Sequence, residues 1–172
     1  MAENFLAAVG REPPGTRFVL WAHNAHVCKR DAGVFPALGS YMHKSFGNEY
    51  YAFGFAFGHG SFRAQLPRQQ PPKQEIFTLG PASRGTLDWF LSKVGLGSFV
   101  VDLRARPTDA HVAAWLKASH GLHWAGAFFK NDGSATVSTR PFVLSRDFDG
   151  LVFVESSSPT RSLLSKGHDR VD

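Results

Sequence analysis

The stretch Phe18-Val-Leu-Trp-Ala-His-Asn-Ala-His-Val27 limits what this chain can fold into more than any other. Residues 18–22 are apolar and run straight into His23 and His26, with Asn24 between them. Pro13, Pro14 and Gly15 break the chain just upstream. A short apolar run after such a breaker reads as a strand buried on both faces, here Arg17 to Ala22. In an open α/β sheet, chemistry collects just beyond the carboxyl end of such a strand. The histidine pair falls there.

The remaining segments alternate between strand and helix patterns, which predicts an α/β fold with a mixed central sheet flanked by helices. Met1 to Val9 reads as a helix closed by Gly10, and Asn24 to Gly33 as a polar loop. Phe35 to Phe46 reads as a helix with Leu38, Tyr41, Met42 and Phe46 inward. Gly39 costs such a helix about 1 kcal/mol relative to alanine, so it is expected to admit a close neighbour. Strands are expected over Glu49–Phe57, Glu75–Leu79, Ser98–Leu103 and Gly150–Val154. A turn of Gly58, Gly60 and Ser61 is expected around His59, with a further strand over Phe62–Leu66. Residues 68–73 form a proline-stiffened loop. Leu87, Phe90, Leu91 and Val94 mark a helix at i, i+3, i+4, i+7 spacing, ended by Gly95. A further helix starts with Thr108 as N-cap and points Val112, Trp115 and Leu116 inward. Residues 1–165 are expected to form a single α/β domain and 166–172 a frayed tail.

Composition narrows the class. The 172 residues are 43% hydrophobic and 19% charged, which is globular and not disordered. Cys28 is the single cysteine, so no internal disulfide forms. This favours a reducing, cytoplasmic setting. Lys29 and Arg30 beside it are expected to lower its pKa. No run approaches the roughly 20 apolar residues of a membrane span, and the first residues lack a signal peptide's basic start. The net charge is +5 and the pI about 9.7. The basic residues are scattered singly from Arg11 to Arg170, so neither a nucleic acid nor a membrane is expected as partner.

Histidines three apart past a strand can hold a metal, supply a general base with a hydrogen-bonding partner, or serve the structure alone. A metal needs further ligands. Asp31, His43 and His59 are present, but none has diagnostic spacing, and no metal or cofactor is expected. His59 between two glycines either lines a pocket or is an ordinary loop histidine. Asp102 and Arg104 stand two apart, on one face of a strand. They form either a site carboxylate with an oxyanion clamp or an ion pair closing the sheet end. Ser83-Arg84-Gly85 fits an anion near the next helix or a capping turn. His120 and His123 bracket Gly121 at a helix end, where a structural role suits them. No Gly-x-Ser-x-Gly elbow, P-loop or dinucleotide fingerprint is present.

Trp21-Ala-His-Asn-Ala-His-Val27 resembles the signature of the erythromycin esterase family. Leu38-Gly39-Ser40-Tyr41 is similar to the glycine-containing helix that follows it there. Tyr51-Ala-Phe-Gly-Phe-Ala-Phe-Gly-His-Gly-Ser-Phe-Arg-Ala64 resembles the family's next strand, Asp102-Leu103-Arg104 its aspartate-leucine-arginine strand, and Phe148 to Leu151 with Ser158 to Arg161 its closing motifs. The family's Gly-Glu-x-Thr-His-Gly segment has no counterpart here. The resemblance therefore implies the C-terminal portion of an erythromycin-esterase-like fold, truncated on its N-terminal side. It implies a hydrolase that opens a macrolide lactone or related small-molecule ester by histidine-assisted attack of water. His23 and His26 would be the surviving catalytic half, with Asn24, His59 and Arg104 orienting or binding substrate. Little activity is expected of the chain alone, and a non-catalytic ligand-binding module is the alternative. A sheet lacking its neighbours is expected to expose apolar surface and self-associate.

Overall fold

A computed structural model describes residues 1–31, 36–67, 71, 73–129 and 138–161. Its helices are α1 (Ala2–Val9), α2 (Asn24–Val27), α3 (Leu38–Phe46), α4 (Leu87–Ser92), α5 (Ala110–Lys117) and α6 (Leu144–Asp147). Its strands are β1 (Phe53–Gln65), β2 (Gln74–Leu79), β3 (Ser98–Asp102), β4 (Ser119–His123), β5 (Thr139–Val143) and β6 (Gly150–Ser157). The main sheet has the order β2-β1-β6-β3, and β4 and β5 pair separately. β1 runs parallel to β6, while β2 and β3 are antiparallel to their neighbours. This is the mixed α/β arrangement that the alternation implied.

One face of the sheet builds the core. Ala56 and Phe153 are paired across β1 and β6, and Phe99 pairs with Phe153 from β3. Phe153, Phe148, Phe142, Leu151, Leu122, Leu144 and Leu87 are all fully buried in one cluster. The Phe148-Asp-Gly-Leu151 run has a physical reason at each position. Phe148 and Leu151 fill the core. Asp149 accepts from the Ala52 amide at 2.9 Å and from Lys29 Nζ at 2.7 Å, tying β6 to the chain ahead of β1. A β-carbon at Gly150 would stand 2.7 Å from the Phe53 ring. Gly39 behaves as expected: a β-carbon there would overlap the Val27 and Cys28 carbonyls, so its absence seats α3 against α2.

Several expectations are corrected. Arg17–Ala22 is extended but joins no ladder, and Val19 and Trp21 are 92% and 83% exposed. A strand forms only where a neighbour takes its N–H and C=O groups. The free edge of β1 beside this segment is bound by a side chain instead, that of Asn24. Residues 24–27 are helical rather than loop. The turn around His59 does not form. β1 continues through it, because Gly58 and Gly60 let the backbone of β6 come too close for a side chain. Gly60 also takes φ 119°, a conformation that favours glycine. The N-cap of α5 is Asp109, whose carboxylate accepts from the His111 and Val112 amides, in place of Thr108. Tyr41, Phe90, Val94 and Val112 are exposed instead of inward. The strand expected at 98–103 forms as β3, at the edge of the sheet. The expected helix start at Phe35 and frayed tail at 166–172 lie outside the described residues, as does most of the 68–73 loop. No helix among the described residues is long and apolar enough to cross a membrane.

Candidate functional site

The first half of β1 pairs with β6 alone among the described strands, since β2 reaches only as far as Gly60, opposite its last residue Leu79. Its other edge, at Phe55, is closed by Asn24. The Asn24 amide donates to the Phe55 carbonyl at 2.7 Å and accepts from the Phe55 amide at 2.9 Å. One side chain thus mimics a paired strand residue and fixes α2 on the sheet edge. Asn24 orients the helix that follows His23 and carries His26, and not one ring alone.

His23 is the N-cap of α2. Its Nδ1 accepts from the Ala25 amide at 3.2 Å, so Nε2 carries the proton and donates to the Ala125 carbonyl at 3.1 Å. The ring lies edge-on to Trp124, with centroids 4.7 Å apart. Burial lowers the His23 pKa, the Ala125 carbonyl opposes this, and His26 adds to the lowering. The ring is therefore held neutral at neutral pH with both nitrogens engaged. His26 lies one turn on, exposed, its ring centroid 6.5 Å from that of His23.

Beside α2 opens a cavity of about 460 Å³. Trp21, Phe55, Phe57 and Phe62 give it aromatic walls, and His23, Asn24, Arg63, Asp88, His123 and Ser157 supply polar groups. Asp88 and His123 are its most buried polar members. Asp88 Oδ2 accepts from the His123 amide at 2.9 Å, which fastens β4 to the first turn of α4. Asp88 Oδ1 lies 3.9 Å from His123 Nδ1. Burial pushes the Asp88 carboxyl above its usual range, while His123 and nearby backbone groups pull it back.

The structure brings His23, Asn24 and His26 onto one turn and leaves His59 and Arg104 elsewhere. His59 sits in β1, its Nδ1 3.7 Å from Glu155 Oε1, and it does not line the cavity. Arg104 pairs with Asp102 at 3.2 Å and stacks over Tyr51 at 4.3 Å. Asp102 faces Gly150 at the start of β6, whereas the cavity is lined from Val154 and Ser157 at its far end. Arg104 holds the Asp102 carboxyl below its ordinary value. Of the two readings of this pair, the ion pair describes its geometry. Ser83 takes the capping reading, with its carbonyl accepting from the Thr86 hydroxyl at 2.7 Å while Thr86 caps α4. His120 and His123 both belong to β4, and His120 Nε2 donates to the Trp115 carbonyl in the last turn of α5 at 2.7 Å, so His120 alone takes the helix-end role.

Cys28 is the clearest reversal at the level of one side chain. It is fully buried, and desolvation with the nearby Asp147 raises its thiol to about 11, outweighing Arg30. Sequence reasoning passed over Asp88, which follows Leu87 in an amphipathic helix and reads as an ordinary first-turn acid. Among the described residues no group of three or more His, Cys, Asp or Glu side chains is placed to hold a metal.

Fold and site together define a mixed α/β protein, with a histidine-bearing turn set on a sheet edge over an aromatic cavity. The chain belongs to the erythromycin esterase family, whose sequence profile matches residues 1–157. No curated protein sequence matches it. Among solved structures it is similar to a protein from Bacillus cereus at 22% identity and TM-score 0.66, with 81% of this chain aligned to 33% of that one. A succinoglycan biosynthesis protein aligns at 20% identity and TM-score 0.65, over 80% of this chain and 32% of the other. An erythromycin esterase mutant, EreC in its open conformation, aligns at 16% and 0.57, over 89% and 35%. The chain spans about a third of the length of each.

Proposed function

We propose that this chain carries part of an ester-hydrolysing site of the erythromycin esterase type, acting on a macrolide lactone or a related carboxylic ester. Histidine would draw a proton from the attacking water. The observation that carries the reading is His23 in the wall of an aromatic cavity, in a chain of this family. Apolar walls with a few polar groups suit an oxygenated, largely apolar substrate. His26 is the second candidate base, and no hydrogen bond fixes its ring among the described residues.

One observation favours the alternative of binding without turnover. Both nitrogens of His23 are committed, one to Ala25 and one to Ala125. The ring can accept a proton only by giving up its hold on the Ala25 amide. The purified chain is therefore expected to bind erythromycin with little or no opening of the lactone. Calorimetry measures the first, and mass spectrometry of the macrolide, which gains one water on opening, measures the second. Efficient turnover that survives both His23→Ala and His26→Ala would refute the assignment of these histidines. Absence of binding would refute the macrolide as ligand.

A further inference from the structure

The His23 ring is held by a segment from a distant part of the chain. Its Nε2–H donates to the Ala125 carbonyl at 3.1 Å, and its edge lies on Trp124, ring centroids 4.7 Å apart. A β-carbon at Gly126 would stand 3.7 Å from the same nitrogen. The hydrogen bond has little slack, because a shift of about half an ångström in this segment takes it out of range. Whatever fixes residues 124–126 therefore fixes the ring.

Two strands contribute. The Trp124 amide donates to the Ser138 carbonyl, just ahead of β5, at 2.8 Å, and the Ala127 carbonyl accepts from the Gln65 amide at the end of β1 at 2.8 Å. A further tie comes from a helix. The His123 amide, one residue before Trp124, donates to Asp88 Oδ2 in the first turn of α4 at 2.9 Å. An acid there ordinarily serves the N–H groups of its own helix. Asp88 turns inward to β4 instead. The side chains of Asp88 and His123 are 0% and 1% exposed, and Asp88 Oδ1 and both ring nitrogens of His123 are shut off from solvent. No ligand meets this pair, so what Asp88 does it does through the backbone it holds.

We propose that Asp88 is a positioning residue for His23. Through the His123 amide it sets the backbone at Trp124 and Ala125, and through the Ala125 carbonyl it keeps the His23 proton on Nε2. Residues 123–125 span at most about 10 Å, short enough for a displacement at one end to arrive at the other. His23 Nδ1 is thereby left as the basic nitrogen of the ring, turned to the Ala25 amide. That this serves turnover rests on the reading of His23 as a base, whereas the coupling from Asp88 to the ring does not.

The test follows histidine ring N–H protons by NMR in the full chain labelled with ¹⁵N, with His23 assigned by its loss in His23→Gln. A ring N–H held by a carbonyl exchanges with water slowly enough to be seen. His120 is the internal standard, since its Nε2 faces the Trp115 carbonyl at 2.7 Å. Asp88→Leu removes the acceptor at similar size, and Asp88→Asn retains an acceptor oxygen. The expected result is loss of the His23 N–H signal in Asp88→Leu with the His120 signal unchanged, and retention of both in Asp88→Asn. A His23 signal that persists in Asp88→Leu would overturn the proposal. So would its loss together with that of His120, which would make Asp88 a support of the fold at large, and so would its loss in Asp88→Asn. Absence of the signal from the unaltered chain would remove the hydrogen bond on which the coupling stands. If Asp88→Leu does not fold, hydrogen exchange on the unaltered chain decides. The His123 amide and the His23 ring N–H are expected to open with the same free energy across a urea series, and unequal opening would overturn the coupling. Erythromycin that neither binds nor opens while these signals stand would count against the hydrolase reading and not against the role of Asp88.

Discussion

Burial and a nearby carboxylate govern the chemistry of Cys28. Lys29 and Arg30 follow it, yet Lys29 turns to Asp149 and Arg30 to Asp147, each at 2.7 Å. Arg30 still pulls the thiol downward, but burial and the Asp147 carboxylate outweigh it. Cys28 Sγ donates instead to the Arg30 carbonyl at 3.3 Å. With a pKa of about 11 against the usual 9.0, the reactive thiolate is scarce at neutral pH and grows only as pH rises toward the raised value. The native chain is expected to resist iodoacetamide at pH 8, its rate still climbing tenfold per pH unit past the point where a free thiol levels off. Unfolding in urea should restore an ordinary rate. Native alkylation as fast as that of a free thiol would contradict the burial of this side chain.

At the scale of elements, α2 is too short to stand alone, since one turn cannot repay its own nucleation. Three attachments hold it: Asn24 on the edge of β1, Gly39 beneath its last carbonyls, and the segment Lys29–Arg30 on Asp149 and Asp147. Asp147 is the hub. Fully buried, it accepts from Arg30 Nε, Arg146 Nε and the Val143 amide, while its own carbonyl accepts from the Lys29 amide. Asp147→Asn removes the charge and replaces one acceptor by donors. The expected cost is about 2–3 kcal/mol, below the roughly 3–5 kcal/mol of a fully buried pair because Arg30 is partly exposed. Urea unfolding measures it, and a loss under about 0.5 kcal/mol, the range of ordinary surface changes, would mean the network does not hold α2. Legibility in the sequence followed how local the cause was. The apolar spacing of Leu87 and Leu91 and the glycine within α3 were readable because each constrains its own turn. Ser119-His-Gly-Leu-His123 carries no strand pattern, and it pairs with Thr139–Val143 far along the chain. The Asp88–His123 meeting depends on that pairing, so these two polar neighbours could not be brought together from the sequence. The apolar run at 18–22 misled for the opposite reason: it has strand composition but no ladder partner among the described residues.

For the whole molecule, that missing ladder has a counterpart on the sheet. Residues that pair across strands share a face. Val100, Val152 and Phe55 stand in one such row, with Val100 and Phe55 exposed at 63% and 42%. Phe53 lies two residues from Phe55 on the same face, and Trp21 leans on Phe55 with ring centroids 5.4 Å apart. The patch borders the Asp102–Arg104 ion pair, since Asp102 shares the row of Phe53 through Gly150, and it ends at β3, which pairs on its outer side with no strand among the described residues. Burying one such side chain is worth about 1.5–3 kcal/mol, so several together favour pairing of two copies over exposure to water. A net charge of +5 opposes this, and salt weakens the opposition by screening. The chain is therefore expected to gain mass with concentration, and more so at high salt. Val100→Lys puts a charge in the row without disturbing the core face of β3, and edge lysines are a recognised means of blocking sheet association. It should shift the equilibrium toward monomer while leaving the melting temperature of the dilute protein nearly unchanged. Sedimentation velocity over a concentration series reads both the association and its salt dependence. A single monomeric species at every concentration would show that the exposed row is tolerated in water, and association unaffected by Val100→Lys would place the contact elsewhere on the surface.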